Sequence, residues 1–109
     1  MLSVAEYGPE IDRSGSLDPS TIQRNVRTRH SPIRACYAKR LDADAGLEGT
    51  TTVAFAIGPD GNVAEAAGAG FDPEVDRCVA DVIKQLGFPA PTGGRTVRVS
   101  YPFKFQKVR

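Results

Sequence analysis

The sequence predicts an α+β fold in which a three-stranded antiparallel sheet carries two helices on one face, and three observations lead there. Asp18-Pro19 and Asp72-Pro73 each open a stretch with apolar residues at helical spacing. Residues 51–57 and 96–105 alternate apolar and polar side chains, the period of a strand buried on one face. Gly58-Pro59-Asp60-Gly61 sits where a hairpin turn would return the first of these strands. The resulting order is α–β–β–α–β, with sheet order 2-1-3: residues 51–57 central and the last strand at an edge. A right-handed crossover through the second helix makes the last strand antiparallel to the first.

Each element has a local cause. Asp accepts hydrogen bonds from the first turn of a helix, and Pro at the first helical position has no needed N–H to lose. After Pro19, Ile22, Val26, Ile33, Cys36, Tyr37 and Leu41 recur near helical spacing. Pro32 interrupts this pattern, so a kinked helix or two short ones are expected, ending near Leu41. Residues 42–49 read as an acidic loop. Val53, Phe55 and Ile57 form the apolar face of the central strand. Residues 62–69 return as its hairpin partner, where small side chains leave the inward face open and a bulge is allowed. The second helix carries Val75, Cys78, Val79, Val82, Ile83 and Leu86 as an amphipathic stripe, with Gly87 expected as a left-handed cap. In the last strand Val97, Val99, Tyr101, Phe103 and Phe105 share one face. Pro102 has no N–H for a ladder, which places this strand at a sheet edge.

The chain has 109 residues, room for one domain with one core. Residues 1–17, with Gly8, Pro9, Ser14, Gly15 and Ser16, read as a flexible linker, 18–106 as the domain and 107–109 as a tail. The net charge of +1 gives no global pull toward nucleic acid or an anionic membrane. Charge is segregated: six Lys or Arg and no acid in 19–41, nine acids against Arg77 in 42–81, and six Lys or Arg and no acid from 82 onward. No apolar run is long enough to span a bilayer, so this fragment is not expected to insert in a membrane. Residues 1–17 do not read as a signal peptide, so export or anchoring would rest with a segment outside this chain.

Catalytic chemistry finds no foothold. His30 is the single histidine, and no acid lies between 19 and 41 to orient it. Asp72, Glu74 and Asp76 read as charges favoured at a helix N-terminus. Two cysteines and one histidine fall short of a four-ligand zinc site, and Gly68-Ala69-Gly70-Phe71 lacks the lysine of a phosphate loop. No enzyme activity, metal or cofactor is expected.

The order and punctuation resemble the TonB C-terminal domain family, and within it the AgmX/PglI-type domains associated with gliding motility in myxobacteria. The resemblance covers about residues 15–105. It is carried by Gly15-Ser16-Leu17-Asp18, Arg34-Ala35-Cys36-Tyr37, Ile57-Gly58-Pro59-Asp60-Gly61-Asn62-Val63, Cys78, Phe88-Pro89-Ala90-Pro91 and Val99-Ser100-Tyr101-Pro102-Phe103-Lys104-Phe105. Pro32 departs from the pattern. The resemblance implies a periplasmic domain on an inner-membrane-anchored protein, part of a TonB-like energy transducer or motility complex. Its implied partners are an outer-membrane barrel or associated envelope protein, bound by strand addition, and an inner-membrane motor reached through segments outside this chain.

Two expectations follow. Cys36 and Cys78 lie on the apolar stripes of their helices, and the implied oxidising compartment favours a disulfide between them over two buried thiols. The last strand offers main-chain groups to an extended peptide along Arg95, Thr96, Val97, Arg98, Val99, Ser100 and Tyr101, with the two arginines favouring an acidic partner. Arg98, Pro102 and Lys104 are also devices that protect an edge from unwanted pairing. The alternative role is structural: self-association through the same edge, or anchoring to the cell wall through the basic first helix.

Overall fold

In a computed structural model of the chain, residues 2–6, 10–11, 17–91 and 93–107 are described. The elements run β1 (Leu2–Glu6), β2 (Glu10–Ile11), α1 (Pro19–Arg27), α2 (His30–Leu41), β3 (Gly49–Ile57), β4 (Val63–Ala69), α3 (Pro73–Lys84) and β5 (Val97–Lys107). The antiparallel sheet has the order β1-β5-β3-β4, with β2 also paired to β5. The three strands expected from the sequence thus stand in the expected order, β4-β3-β5, with β3 central.

The expected first helix is two helices. Asp18 caps α1 by accepting from the Ser20 N–H at 3.0 Å, and this bond holds its carboxyl below the usual carboxylate range. α1 ends at Arg27 and α2 starts at His30, so Pro32 falls in the first turn of a new helix. There its missing N–H leaves no gap in the ladder, and the chain turns without breaking a helix interior. α3 begins as expected, with Asp72 accepting from the N–H groups of Glu74 (3.0 Å) and Val75 (3.1 Å). It ends differently. The cap is Gln85 with right-handed backbone, and Gly87 is not among the glycines with positive φ. Short bonds from Gln85 and Leu86 N–H to the carbonyls of Val82 and Ile83 close the last turn instead, and Gly87 bridges to Asn62.

β3 and β5 pair residue for residue from Gly49↔Phe105 to Ile57↔Val97. This register puts Val53 beside Tyr101, Phe55 beside Val99 and Thr51 beside Phe103 on the helix-facing side, where all are buried. Ile22, Val26, Ile33, Tyr37, Val75, Val79 and Ile83 complete one core. The Tyr37 hydroxyl donates to the Leu47 carbonyl, and its ring lies 5.2 Å from that of Phe105. On β4 the inward residues are the small Ala66 and Gly68, opposite Phe55 and Val53. A Cβ on Gly68 would lie 2.3 Å from the Asp76 carbonyl oxygen, so α3 rides directly on the strand backbone. The bulge allowed by the sequence is present: Ala56 pairs with Glu65 but Ile57 with Val63, which leaves Ala64 as the extra residue.

The turn after β3 and the segment after α3 dock on each other. Gly61 N–H donates to the Gly58 carbonyl at 2.9 Å, and the Gly61 carbonyl accepts from Phe88 N–H at 2.9 Å. Gly61 has φ of 89°, and a Cβ there would lie 2.0 Å from the Phe88 carbonyl oxygen, so only glycine fits. Phe88 then stacks on Phe55 at 6.1 Å. Two sequence motifs 27 residues apart (Gly61 to Phe88) are thus one structural joint.

The sheet extends beyond three strands. Of the 1–17 stretch read as a linker, Leu2–Glu6 pairs with β5 from Leu2↔Lys107 to Glu6↔Phe103, and Glu10–Ile11 pairs as Glu10↔Ser100 and Ile11↔Val99; the rest of it, up to residue 16, lies outside the described residues. Lys107, read as the start of a tail, is the last residue of β5. The partner of these short strands lies about a hundred residues away in sequence, so little beyond a weak local alternation marks them as strands.

Candidate interaction edge and helix clamp

The site expected from the sequence, residues 95–101, is divided by the structure. Arg95 and Thr96 precede β5, which begins at Val97. Val97, Val99 and Tyr101 are buried against the helices. Ser100 and Arg98 lie on the opposite face. Arg98 does not charge the outer edge: its guanidinium reaches Glu65 of β4 at 3.3 Å, passing over Ala56, which pairs with both residues and is only 3% exposed. Exposed on both sides, this pair contributes little to stability.

The edge itself is corrected too. Ser100 and Val99 have outer neighbours in Glu10 and Ile11, and residues 103–107 have them in β1. Pairing on the outer side therefore runs further along β5 than the expected site. The alternating run through Phe105 signalled that length, and Leu2-Ser3-Val4-Ala5 carries a weak alternation of its own. Among the described residues, Tyr101 and Pro102 lie between the two blocks of outer pairing. Pro102 faces Thr52 in an uninterrupted β3–β5 register. A proline is tolerated in such a ladder where its ring nitrogen faces away from the paired strand. Ser100, two residues earlier, shares that orientation, so its N–H points outward as well.

Behind the sheet, α2 and α3 form a clamp. Cys36 and Cys78 are joined by a disulfide, with Cα atoms 5.6 Å apart, as the sequence led us to expect. One turn further along α2, Arg40 grips Asp72 with two bonds of 3.2 Å, Nε to Oδ1 and a terminal nitrogen to Oδ2. The Arg40 guanidinium holds the Asp72 carboxyl below the usual carboxylate range, aided by the N–H groups it caps. Asp76, 7% exposed, accepts from Thr51 Oγ1 at 2.8 Å and from Phe71 N–H at 3.3 Å, tying α3 to β3. All three carboxylates of the acidic trio have structural partners, Glu74 through an exposed 3.6 Å ion pair with Arg40.

Among the described residues, nothing assembles a nucleophile, a base and its orienting group. His30 is the half-exposed first residue of α2. An open groove between β4 and α3, lined by Gly68, Pro73, Arg77 and Asp81 among others, is a surface trough. No cluster of three potential metal ligands occurs among the described residues, and no helix among them is long and apolar enough to cross a membrane.

Residues 40–106 match the family described as the Gram-negative bacterial TonB protein C-terminal. The match begins near the end of α2 and takes in β3, β4, α3 and nearly all of β5; of the clamp it includes Arg40, Asp72 and Cys78 but not Cys36. No curated protein and no solved structure matches the chain. The family is one of non-enzymatic protein-interaction domains of the periplasm. With most of its length and its whole three-stranded core inside the match, the chain belongs to the TonB C-terminal family.

Proposed function

We propose that this chain is the periplasmic interaction domain of a TonB-like energy transducer or motility complex of the AgmX/PglI type, anchored in the inner membrane through other parts of the protein. It binds an extended segment of an outer-membrane barrel or associated envelope protein by strand addition at β5. The observation that carries this reading is the outer side of β5: an eleven-residue strand whose main chain takes up extended segments at both Val99–Ser100 and 103–107. Main-chain pairing supplies affinity in such complexes and is indifferent to most side chains, which suits an edge whose outward groups are N–H and C=O.

The Ser100→Pro variant tests it. Ser100 N–H points away from β3, so the substitution removes an outward donor and leaves the β3–β5 ladder whole. The variant is expected to keep the parent's circular dichroism and to lose capture of envelope proteins from a Gram-negative membrane extract. Equal capture by the folded variant and the parent would remove β5 as the binding edge. Light scattering on the purified domain checks the structural alternative, since self-association through β5 would give a dimer that Ser100→Pro dissolves.

A further inference from the structure

The edge that the proposed function needs is already occupied. Leu2–Glu6 and Glu10–Ile11 pair antiparallel with β5 over seven residues, from Leu2↔Lys107 to Ile11↔Val99. Between Glu6↔Phe103 and Glu10↔Ser100 the N-terminal side has three residues and β5 has two. Both blocks run antiparallel to β5, and their registers differ by one residue. α2 also touches β1. Charge is complementary along the pairing: residues 1–12 hold Glu6, Glu10 and Asp12 and no base, whereas the paired stretch 99–107 holds Lys104 and Lys107 and no acid.

We infer that the N-terminal segment is an intramolecular occupant of the strand-addition edge, and that a partner binds by displacing it. The inference rests on strand addition at β5 and deepens it in two respects. It sets the orientation of the incoming strand as antiparallel and its footprint as 99–107. It also gives the chemistry of the partner: an extended, acidic segment of about ten residues that copies the occupant.

The physical consequence is competition. A tethered segment competes at an effective concentration in the millimolar range for short flexible links. The apparent affinity for an outside peptide then falls by the fraction of time the edge is open. The occupant has no covalent tie to the core comparable to Cys36–Cys78, and short outer strands open with lower free energy than a core ladder. Occupancy shields an unpaired edge from promiscuous pairing until a better match arrives.

The test uses the full chain with Val4→Pro and Ala5→Pro together. Alternate residues of a strand point their N–H groups to opposite sides, so one of the two prolines removes a donor to β5 whichever face is inward. Amide hydrogen exchange in the parent should show slow outward amides within 99–107, and the variant should lose that protection while β3–β4 amides stay unchanged. The probe is a labelled synthetic peptide of residues 1–12, expected to bind the variant about tenfold more tightly than the parent if the segment covers the edge about nine-tenths of the time. Adding Ser100→Pro to the variant should abolish peptide binding. Unchanged exchange in the variant, or equal peptide affinity of variant and parent with Ser100→Pro still abolishing it, overturns the occupancy and leaves strand addition standing. Peptide binding indifferent to Ser100→Pro overturns strand addition at β5 and the occupancy with it. Protection that appears only with a dimer in light scattering places the occupying strand on a second copy and overturns the intramolecular form.

Discussion

The two flanks of the central strand β3 are built on different principles. On the β4 side, side chains and covalent bonds hold the structure. α3 sits on Gly68, Asp76 reaches Thr51, and the Cys36–Cys78 bond and the Arg40–Asp72 pair fasten α3 to α2. β4 itself is seven residues long and bulged at Ala64, features that discourage further pairing. On the β5 side the strand is eleven residues long with an unbroken register against β3, and its outer neighbours are short segments from the other end of the chain. One flank is fixed by specific contacts and the other by main-chain hydrogen bonds that any extended peptide can imitate. This difference shows how a domain of this size keeps a stable core while leaving one edge exchangeable.

The largest expected effect comes from removing the covalent tie. With the cysteines 42 positions apart in sequence, Cys36→Ala with Cys78→Ala should lower the unfolding free energy by about 4 kcal/mol on the loop-entropy account. Urea titration measures it. The outward amides of β5 should keep their relative exchange rates at low denaturant; if they change as much as the helices do, the two flanks are not independent.

Gly68→Ala strikes the same flank through packing. Its Cβ would meet backbone of α3 rather than a flexible side chain, so the helix must shift, at a cost of about 1–3 kcal/mol. A thermal midpoint equal to the parent's would show that α3 is not seated on β4 as described.

Smaller still is Asp72→Ala, which removes a helix cap worth about 1 kcal/mol and releases Arg40. The acid dependence of this variant sharpens the point. The ordinary value for the carboxyl is 3.8, and hydrogen bonding from Arg40 lowers it in the folded state. A lowered folded pKa means that the contribution is whole above about pH 4 and fades as pH falls through the folded value. The stability gap between parent and variant should therefore be constant near neutrality and narrow below pH 4. A gap that stays constant down to strongly acid pH would show that the Asp72 charge contributes nothing.

Local chemistry accounts for most of the core. Asp18-Pro19 and Asp72-Pro73 start helices because a capping carboxylate and a proline act within one turn, and both helices start where expected. Residues 51–57 and 97–105 turn alternate side chains into the core because a strand has a period of two, and Ala56 is buried on the other face beneath Arg98 and Glu65. The cysteine pair was legible for a related reason: each helix shows one stripe to one core, so two thiols on those stripes come together. The candidate site was legible as a strand but not as a set of contacts. Arg98 alternates outward as the sequence requires, yet its partner Glu65 is known only once β4 and β5 take their places on either side of β3. The break at Thr28-Arg29, the right-handed end of α3 and the contact between Gly61 and Phe88 likewise depend on where the neighbouring chain lies.

By itself, then, the sequence determined the starts of α1 and α3, the faces of the strands and their order, because period, capping and burial act over a few residues at a time. The covalent pairing followed once the compartment implied by the family resemblance was added to the two apolar stripes. Only the tertiary structure decided what lies along the outer edge of β5. Strand pairing is a main-chain interaction that leaves little mark on side-chain choice, and Leu2–Glu6 and Glu10–Ile11 meet their partner across nearly the full length of the chain.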